Sequence, residues 1–211
     1  MFVRHGHAQA ADDSVVAGHR GCTGLSELGR LQAGTLRDRL AAARFRPDAV
    51  VTSVLPRAIE TAEIVAGGLG VDPAAILRTC ELCERHPGEA DSLTWDACVA
   101  RYGVVDPWRE PDQPLSPSGE SPRALRRRAE AIVASLADQH AGGTVLVVTH
   151  AGVILAATLT FLGLGPRWFA HDLVNTSVTE WVHDGTRGWL LHRFNDAAHL
   201  EALATAPTGA G

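Results

Sequence analysis

Three short apolar runs in this sequence each end in residues that can bind or attack an anion. Phe2-Val3-Arg4-His5-Gly6-His7 closes on a guanidinium, an imidazole and a glycine. Thr144-Val145-Leu146-Val147-Val148-Thr149 delivers His150 just before Ala151-Gly152 and an apolar stretch, and Ala49-Val50-Val51-Thr52 leads through Ser53 and Pro56 to Arg57. If the runs are strands of one parallel sheet, Arg4, His5, Arg57 and His150 converge on its carboxyl edge, where open α/β sheets bind ligands. A cage of that composition suits a dianionic phosphate. Arginine forks bind its oxygens in pairs, and a helix opening at Ala151-Gly152 adds oriented N–H groups. A histidine inside the cage can act as nucleophile when one ring nitrogen is held as a donor, which leaves the other lone pair for phosphorus. Gly6 would allow close backbone approach there. The leaving alkoxide then needs a proton, best supplied by a carboxylic acid.

The elements that must position these groups are legible from periodicity. Ser26 caps a helix carrying Leu28, Leu31, Leu36 and Leu40 at helical spacing. Pro56 opens another, with Ala58, Ile59, Ala62, Val65 and Ala66 as its buried stripe and Gly67-Gly68 at its end. Ser121-Pro122 starts a third, with Leu125, Ala129, Ile132, Val133 and Leu136 on one face; Arg126-Arg127-Arg128 reads as its solvated side. Ser177 to Val182 and Trp189 to Phe194 flank Asp184-Gly185 as a hairpin. Strands alternating with helices predict an α/β fold, a three-layer α/β/α sandwich with a mostly parallel sheet and one hairpin-paired antiparallel edge strand. The chain reads as one domain, 1–211. From about 72 to 122, prolines, tryptophans and scattered charges replace periodicity, which predicts a lid-like insertion whose Trp95 and Trp108 close a small core of their own. A loosely held tail is expected after about residue 200.

Composition bounds the partners. A chain of 211 residues, 45% hydrophobic, supports a full core, and a net charge of −5 argues against nucleic acid and acidic membrane surfaces. Local cationic pockets can still draw a small anion. No run approaches the ~20 apolar residues of a membrane span, and the start lacks a signal-peptide layout, so a cytoplasmic location is expected. The first strand is short for a central one, which suggests residues upstream of Met1. The four cysteines, Cys22, Cys80, Cys83 and Cys98, are expected to be reduced. Cys80-Glu81-Leu82-Cys83 has metal-ligand spacing, but neither Cys22 nor Cys98 belongs to a second pair, so no metal and no cofactor is expected. Other histidines, including His19, His140, His171, His183, His192 and His199, read as surface or scaffold.

Arg4-His5-Gly6, Leu25-Ser26-Glu27-Leu28-Gly29-Arg30-Leu31-Gln32-Ala33, Ser53 to Ala58 with Thr61-Ala62, and Thr149-His150-Ala151-Gly152-Val153-Ile154 resemble the histidine phosphatase superfamily, in its phosphoglycerate mutase-like branch. The similarity runs on to Asn175-Thr176-Ser177 and Asn195-Asp196…His199-Leu200. It implies that His5 is phosphorylated, that Arg4, Arg57 and His150 bind the phosphoryl group together with Ala151 and Gly152, and that a carboxylic acid protonates the leaving group. In that family the acid follows a leucine by two positions and precedes a glycine by four. Leu82-Cys83-Glu84…Gly88 fits, which selects Glu84 over Glu81 and Glu89; Glu89 suits a lid carboxylate. His7, Gln9, Thr23, Gly24, His86 and Trp95 are the candidates for holding the rest of the substrate. A homodimer is also reasonable from the resemblance.

Departures from the family pattern bear on the reaction. Ser53-Val54 stands where Ser-Pro is usual, and Gln9-Ala10-Ala11 stands where the mutases have an asparagine. The middle segment is also shorter than in typical cofactor-dependent mutases. These features favour a metal-independent phosphatase acting on a small phosphomonoester. The alternatives are a phosphoglycerate-type mutase, a protein phosphohistidine phosphatase and, last, a non-catalytic anion-binding protein.

Overall fold

Side-chain alternation along the central strands divides the core into two halves. In the computed structural model, which describes residues 1–165 and 173–204, β1 (Phe2–Arg4), β2 (Ala49–Ser53), β3 (Leu77–Thr79), β4 (Val145–Thr149), β5 (Val178–Asp184) and β6 (Gly188–Asp196) form one sheet. Its order is β3-β2-β4-β1-β5-β6. Phe2, Val51 and Val147 face one side and pack on α5 (Pro122–Gln139) and α6 (Ala151–Phe161) through Leu125, Val133, Val153 and Ile154. Val3, Val50, Leu146 and Val148 face the other and meet α2 (Glu27–Ala42) and α3 (Pro56–Gly68) through Leu36, Leu40, Ala62 and Val65. The period of two thus builds the three layers. Burying each such aliphatic side chain contributes about 1.5–3 kcal/mol.

Strands β1 to β4 pair in parallel, and β5 runs antiparallel to both β1 and β6. The hairpin therefore lies at the sheet edge as expected, with β5 as its reversed strand and β6 outermost. β1 and β4 are neighbours in the register Arg4↔Thr149, so His5 and His150 leave the sheet side by side. A turn of helix, α1 (Gln9–Asp12), follows His5.

Three expectations change. The insertion does not begin at about residue 72, because Leu77–Thr79 is the edge strand β3; three residues, with Leu77 exposed, are too few to show a period. The irregular segment follows it, with α4 (Trp95–Tyr102) and a small core of Val16, Ala90, Cys98 and Leu115. On α2 the buried stripe is Gly29, Ala33, Leu36 and Leu40, while Leu28 and Leu31 face solvent. Gly29 takes the inner position because the first loop crosses the helix there. The tail is helical over α7 (Glu201–Ala204); its remainder and His171 lie outside the described residues. No helix among the described residues is long and apolar enough to cross a membrane.

The clearance provided by Gly6 is against α2. A Cβ at Gly6 would lie 2.6 Å from the Gly29 carbonyl oxygen, and one at Gly29 would overlap the His7 carbonyl. Backbone on both sides leaves nothing soft to yield. Gly6→Ala and Gly29→Ala are therefore each expected to lower stability by about 1–3 kcal/mol, the usual cost of overpacking, read as a drop in the urea midpoint. An unchanged midpoint in both variants would contradict this packing.

Candidate active site

The parallel strands end in a buried pair of imidazoles. His5 and His150 have ring centroids 5.0 Å apart. The backbone N–H of His5 donates to the Thr149 carbonyl at 2.9 Å, and the Asn175 side chain donates to the His5 carbonyl at 3.0 Å. Thr61 on α3 accepts from the N–H of Gly6 at 3.0 Å and donates to the Arg57 carbonyl at 2.7 Å. The His5 loop is thus pinned from β4, from α3 and from the turn before β5. Arg4 reaches the Leu173 carbonyl across the same edge.

The polar contacts of His5 define its tautomer. Its Nδ1 lies 2.6 Å from the Gly6 carbonyl oxygen, which can only accept, so Nδ1 carries the proton. Nε2 is then an acceptor, and Arg57 donates its Nε–H to it at 3.1 Å. Arg57, buried at the start of α3, also donates to the Ala17 carbonyl at 3.0 Å. His150 is fully enclosed; its Nε2 lies 2.8 Å from the Ser53 hydroxyl, and its Nδ1 is buried with no partner among the described residues. That nitrogen is the one left to meet a ligand.

Both imidazoles are held neutral. Burial first, then the charges of Arg57 and Arg4, keep His5 well below its usual 6.5. Burial, Arg57 and His5 do the same to His150. A cationic cage around neutral histidines can attract a dianion, and the His5 Nε2 lone pair, occupied by Arg57 in this structure, becomes available to phosphorus when Arg57 turns to the anion's oxygens.

The loop carrying Glu84 borders the same site. Glu84 accepts from the N–H of Gly152 at 3.0 Å and from that of Arg85 at 3.0 Å. The Gly152 N–H, expected to serve phosphate, is therefore committed to Glu84 in this structure. Glu84 faces the cavity, whereas Glu81 is exposed and Glu89 turns to the Tyr102 hydroxyl at 3.1 Å and Arg101 at 3.7 Å.

Arg128 is not part of a solvated face. Held by Glu120 at 2.9 and 2.7 Å, it donates to the carbonyls of Glu81 at 2.7 Å and Cys83 at 2.9 Å. Thr149 adds a bond to the Leu82 carbonyl at 2.7 Å. Sequence reading missed Ser53, Thr61, Arg128 and Asn175 because each acts across the fold; only Ser53, Thr61 and Asn175 lay in quoted motifs.

A cavity of about 750 Å³ opens above this edge, lined by Arg4, His5, Arg57, Glu84, Ala151 and Gly152 at its base and mainly by apolar side chains above. Trp95 and Trp108 belong to that wall and not to the lid core. Of the other proposed substrate contacts, none lines the cavity. His7 is turned to the Ser26 hydroxyl at 2.9 Å, and Gln9 to Asp13 at 3.1 Å. Thr23 is exposed, and Gly24 sits against Glu60. His86 packs beside His19 with centroids 5.4 Å apart. Cys80 and Cys83 lie beside His19 and His86, with one donor atom of each residue within 4.8 Å of the others; these partners are distant in sequence or are not cysteines, so spacing alone does not reveal them.

A family model described as histidine phosphatase superfamily (branch 1) matches residues 1–197. The chain is 30% identical to a 2,3-bisphosphoglycerate-dependent phosphoglycerate mutase of Brucella anthropi, over 84% of this chain and 88% of that one. It is 30% identical to the metal-independent phosphoserine phosphatase of Arabidopsis thaliana, over 88% and 76%. A mycobacterial glucosyl-3-phosphoglycerate phosphatase, solved with VO3, superposes with a TM-score of 0.75 at 27% identity, covering 92% of this chain and 97% of that chain.

Neutral buried histidines make stability fall with acidity. Below 6.5 an unfolded histidine takes up a proton that folded His5 and His150 refuse, so the unfolded state binds more protons and gains. His199, lowered to about 4 by burial and Arg39, acts in the same direction. Urea midpoints should drop between about pH 6.5 and pH 5, by up to about 1.4 kcal/mol per pH unit for each such group. In His150→Asn the slope should be shallower by one group. Identical slopes in variant and parent would contradict the neutral assignment.

Proposed function

Because the chain belongs to the histidine phosphatase superfamily, branch 1, we propose that it is a metal-independent phosphatase that hydrolyses a small phosphomonoester through a phosphohistidine on His5. The observation that carries this reading is the fixed His5 tautomer, with Nδ1–H on the Gly6 carbonyl and the Nε2 lone pair beside the Arg57 guanidinium. When a phosphate enters, Arg57 and Arg4 turn their N–H groups to its oxygens, and the His150 Nδ1–H donates to another while the Ser53 hydroxyl holds Nε2. The His5 Nε2 lone pair then forms the bond to phosphorus as the ester P–O bond breaks. Glu84 gives its proton to the leaving oxygen. In the second half, the Glu84 carboxylate takes a proton from water, whose oxygen displaces Nε2 and releases inorganic phosphate with His5 neutral again.

The cavity wall supports an alcohol moiety that is largely apolar. Val16, Trp95, Trp108, Leu155 and Leu159 contribute to it. Two of the cations at its rim are already engaged, Arg123 by Asp112 at 2.6 Å and Arg126 by Glu130 at 3.6 Å. A phosphoglycerate-type mutase must hold a second anionic group and keep the phosphoryl group from water. Arg85, which also lines the cavity, is the residue that would serve that second reading. Enclosure under a lid favours a small substrate over a phosphorylated protein surface.

Rapid quenching with labelled substrate should trap an acid-labile, alkali-stable phosphoenzyme, absent in His5→Ala. Label retained by that variant would sink the assignment. Turnover should need no added magnesium, and vanadate, which adopts the five-coordinate geometry of the transferring group, should inhibit. Glu84→Gln should lose about 10²–10⁴-fold on an alkyl phosphate, the usual range for general acid catalysis, and much less on nitrophenyl phosphate, whose leaving anion needs little protonation. Equal losses on both esters would remove Glu84 from the role.

A further inference from the structure

Outside the phosphate cage, one cluster of side chains has the composition of a metal site. The nitrogens of His19 and His86 and the sulfurs of Cys80 and Cys83 all lie within 4.8 Å of one another. Cys80 Sγ is 3.5 Å from Nε2 of His19 and 3.5 Å from Nε2 of His86. In a tetrahedral site with Zn–S of about 2.3 Å and Zn–N of about 2.05 Å, the sulfur-to-nitrogen edge is about 3.55 Å. The two observed edges therefore already have the length a central zinc would impose, and small side-chain rotations shorten the rest.

We propose that His19, Cys80, Cys83 and His86 bind one zinc ion in a closed, structural Cys2His2 site that ties the loop after α1 to the loop carrying Glu84. Cys80-x-x-Cys83-x-x-His86 supplies three ligands from one turn, and His19 supplies the fourth from 61 residues earlier than Cys80. Two thiolates neutralise the ion, and mixed sulfur and imidazole donors in a tetrahedron favour zinc over magnesium or calcium. Binding displaces the two thiol protons to solvent, with no change of oxidation state. His19 is exposed and Cys80 and His86 are half-buried, which gives the ion a path in; Cys83 closes the inner side.

The surroundings are built for rigidity. Arg128 donates to the backbone carbonyl of Cys83, the His86 N–H donates to Glu120 at 3.2 Å, and the Glu120 N–H donates to the His86 carbonyl at 2.8 Å. Cys83 Sγ is 3.7 Å from the Ser53 hydroxyl, which itself contacts His150. With four protein ligands the ion has no open position, so it takes no part in phosphoryl transfer. Its effect is on where the loop holds Glu84, one residue beyond Cys83.

The full chain, purified under reducing conditions and equilibrated with zinc, should retain about one equivalent by mass spectrometry of the elements. Cobalt in its place should give the intense visible absorption of a tetrahedral site with a near-ultraviolet thiolate band. Alkylation should spare Cys80 and Cys83 until a chelator is added. His19→Ala, a surface change that leaves the fold intact, should weaken zinc binding at least about tenfold, and Cys80→Ser should abolish the thiolate band. Failure of the reduced chain to retain zinc, or an unchanged affinity and cobalt spectrum in both variants, would overturn the proposal. Recovery of a Cys80–Cys83 disulfide in place of bound zinc would do the same. None of these readings depends on turnover, so they stand or fall apart from the phosphatase assignment.

Discussion

Parallel pairing of β1 with β4 is the constraint on which the rest depends. The register Arg4↔Thr149 brings His5 and His150 out of the sheet together, and the His5 N–H continues the ladder onto the Thr149 carbonyl. A one-residue slip would exchange the faces of Phe2 and Val3 and strip both core halves of their strand side chains. The hydrophobic pattern therefore fixes the catalytic geometry indirectly. Core alternation sets the register, and the register sets the distance between two imidazoles.

That geometry has an electrostatic cost, which the fold meets by keeping the imidazoles uncharged. Two guanidinium groups converge on the same edge, so a protonated His5 or His150 would be repelled as well as desolvated. Carbonyl acceptors absorb part of the cationic excess: Ala17 takes Arg57, and Leu173 takes Arg4. Glu84 stands opposite on the N-terminus of α6, where a Cβ at Gly152 would push the carboxylate out of its present position. The helix that would otherwise offer its N–H groups to phosphate thus holds the acid.

Legibility in the sequence followed the range of the interactions. Strands β2 and β4, helices α3 and α5, and the Arg4, His5, Arg57 and His150 convergence all rest on local runs plus the rule that parallel strands share an edge. What escaped was set across the fold. Leu28 and Leu31 look like core residues by spacing, yet Gly29 and Ala33 take the inner stripe because the His5 loop crosses α2. Arg128 looks like one of three solvated arginines, yet it is sequestered by Glu120 eight residues earlier. β3 is too short to carry a period. His7 stands near the motif, but its ring is drawn to Ser26, the cap of α2.

The acid loop shows why such long-range contacts concentrate where they do. Arg4, His5 and His150 sit at or just past strand ends and Arg57 at the start of α3, whereas Glu84 lies on an irregular segment between short 3-10 turns. If Glu84 is the proton donor, a misplacement of about 1 Å can cost about a hundredfold, which an over-determined loop prevents. Thr149 binds it from β4, Arg128 from α5 and Gly152 from α6. The Cys80, Cys83 and His86 turn is itself held by Arg128 and Glu120, and His19 approaches it from the segment whose Ala17 carbonyl holds Arg57. A tie at that point would couple the acid to the phosphate cage through a few covalent bonds on each side. The proposed metal-independent transfer at phosphorus would thereby be compatible with a metal ion in the frame that positions Glu84.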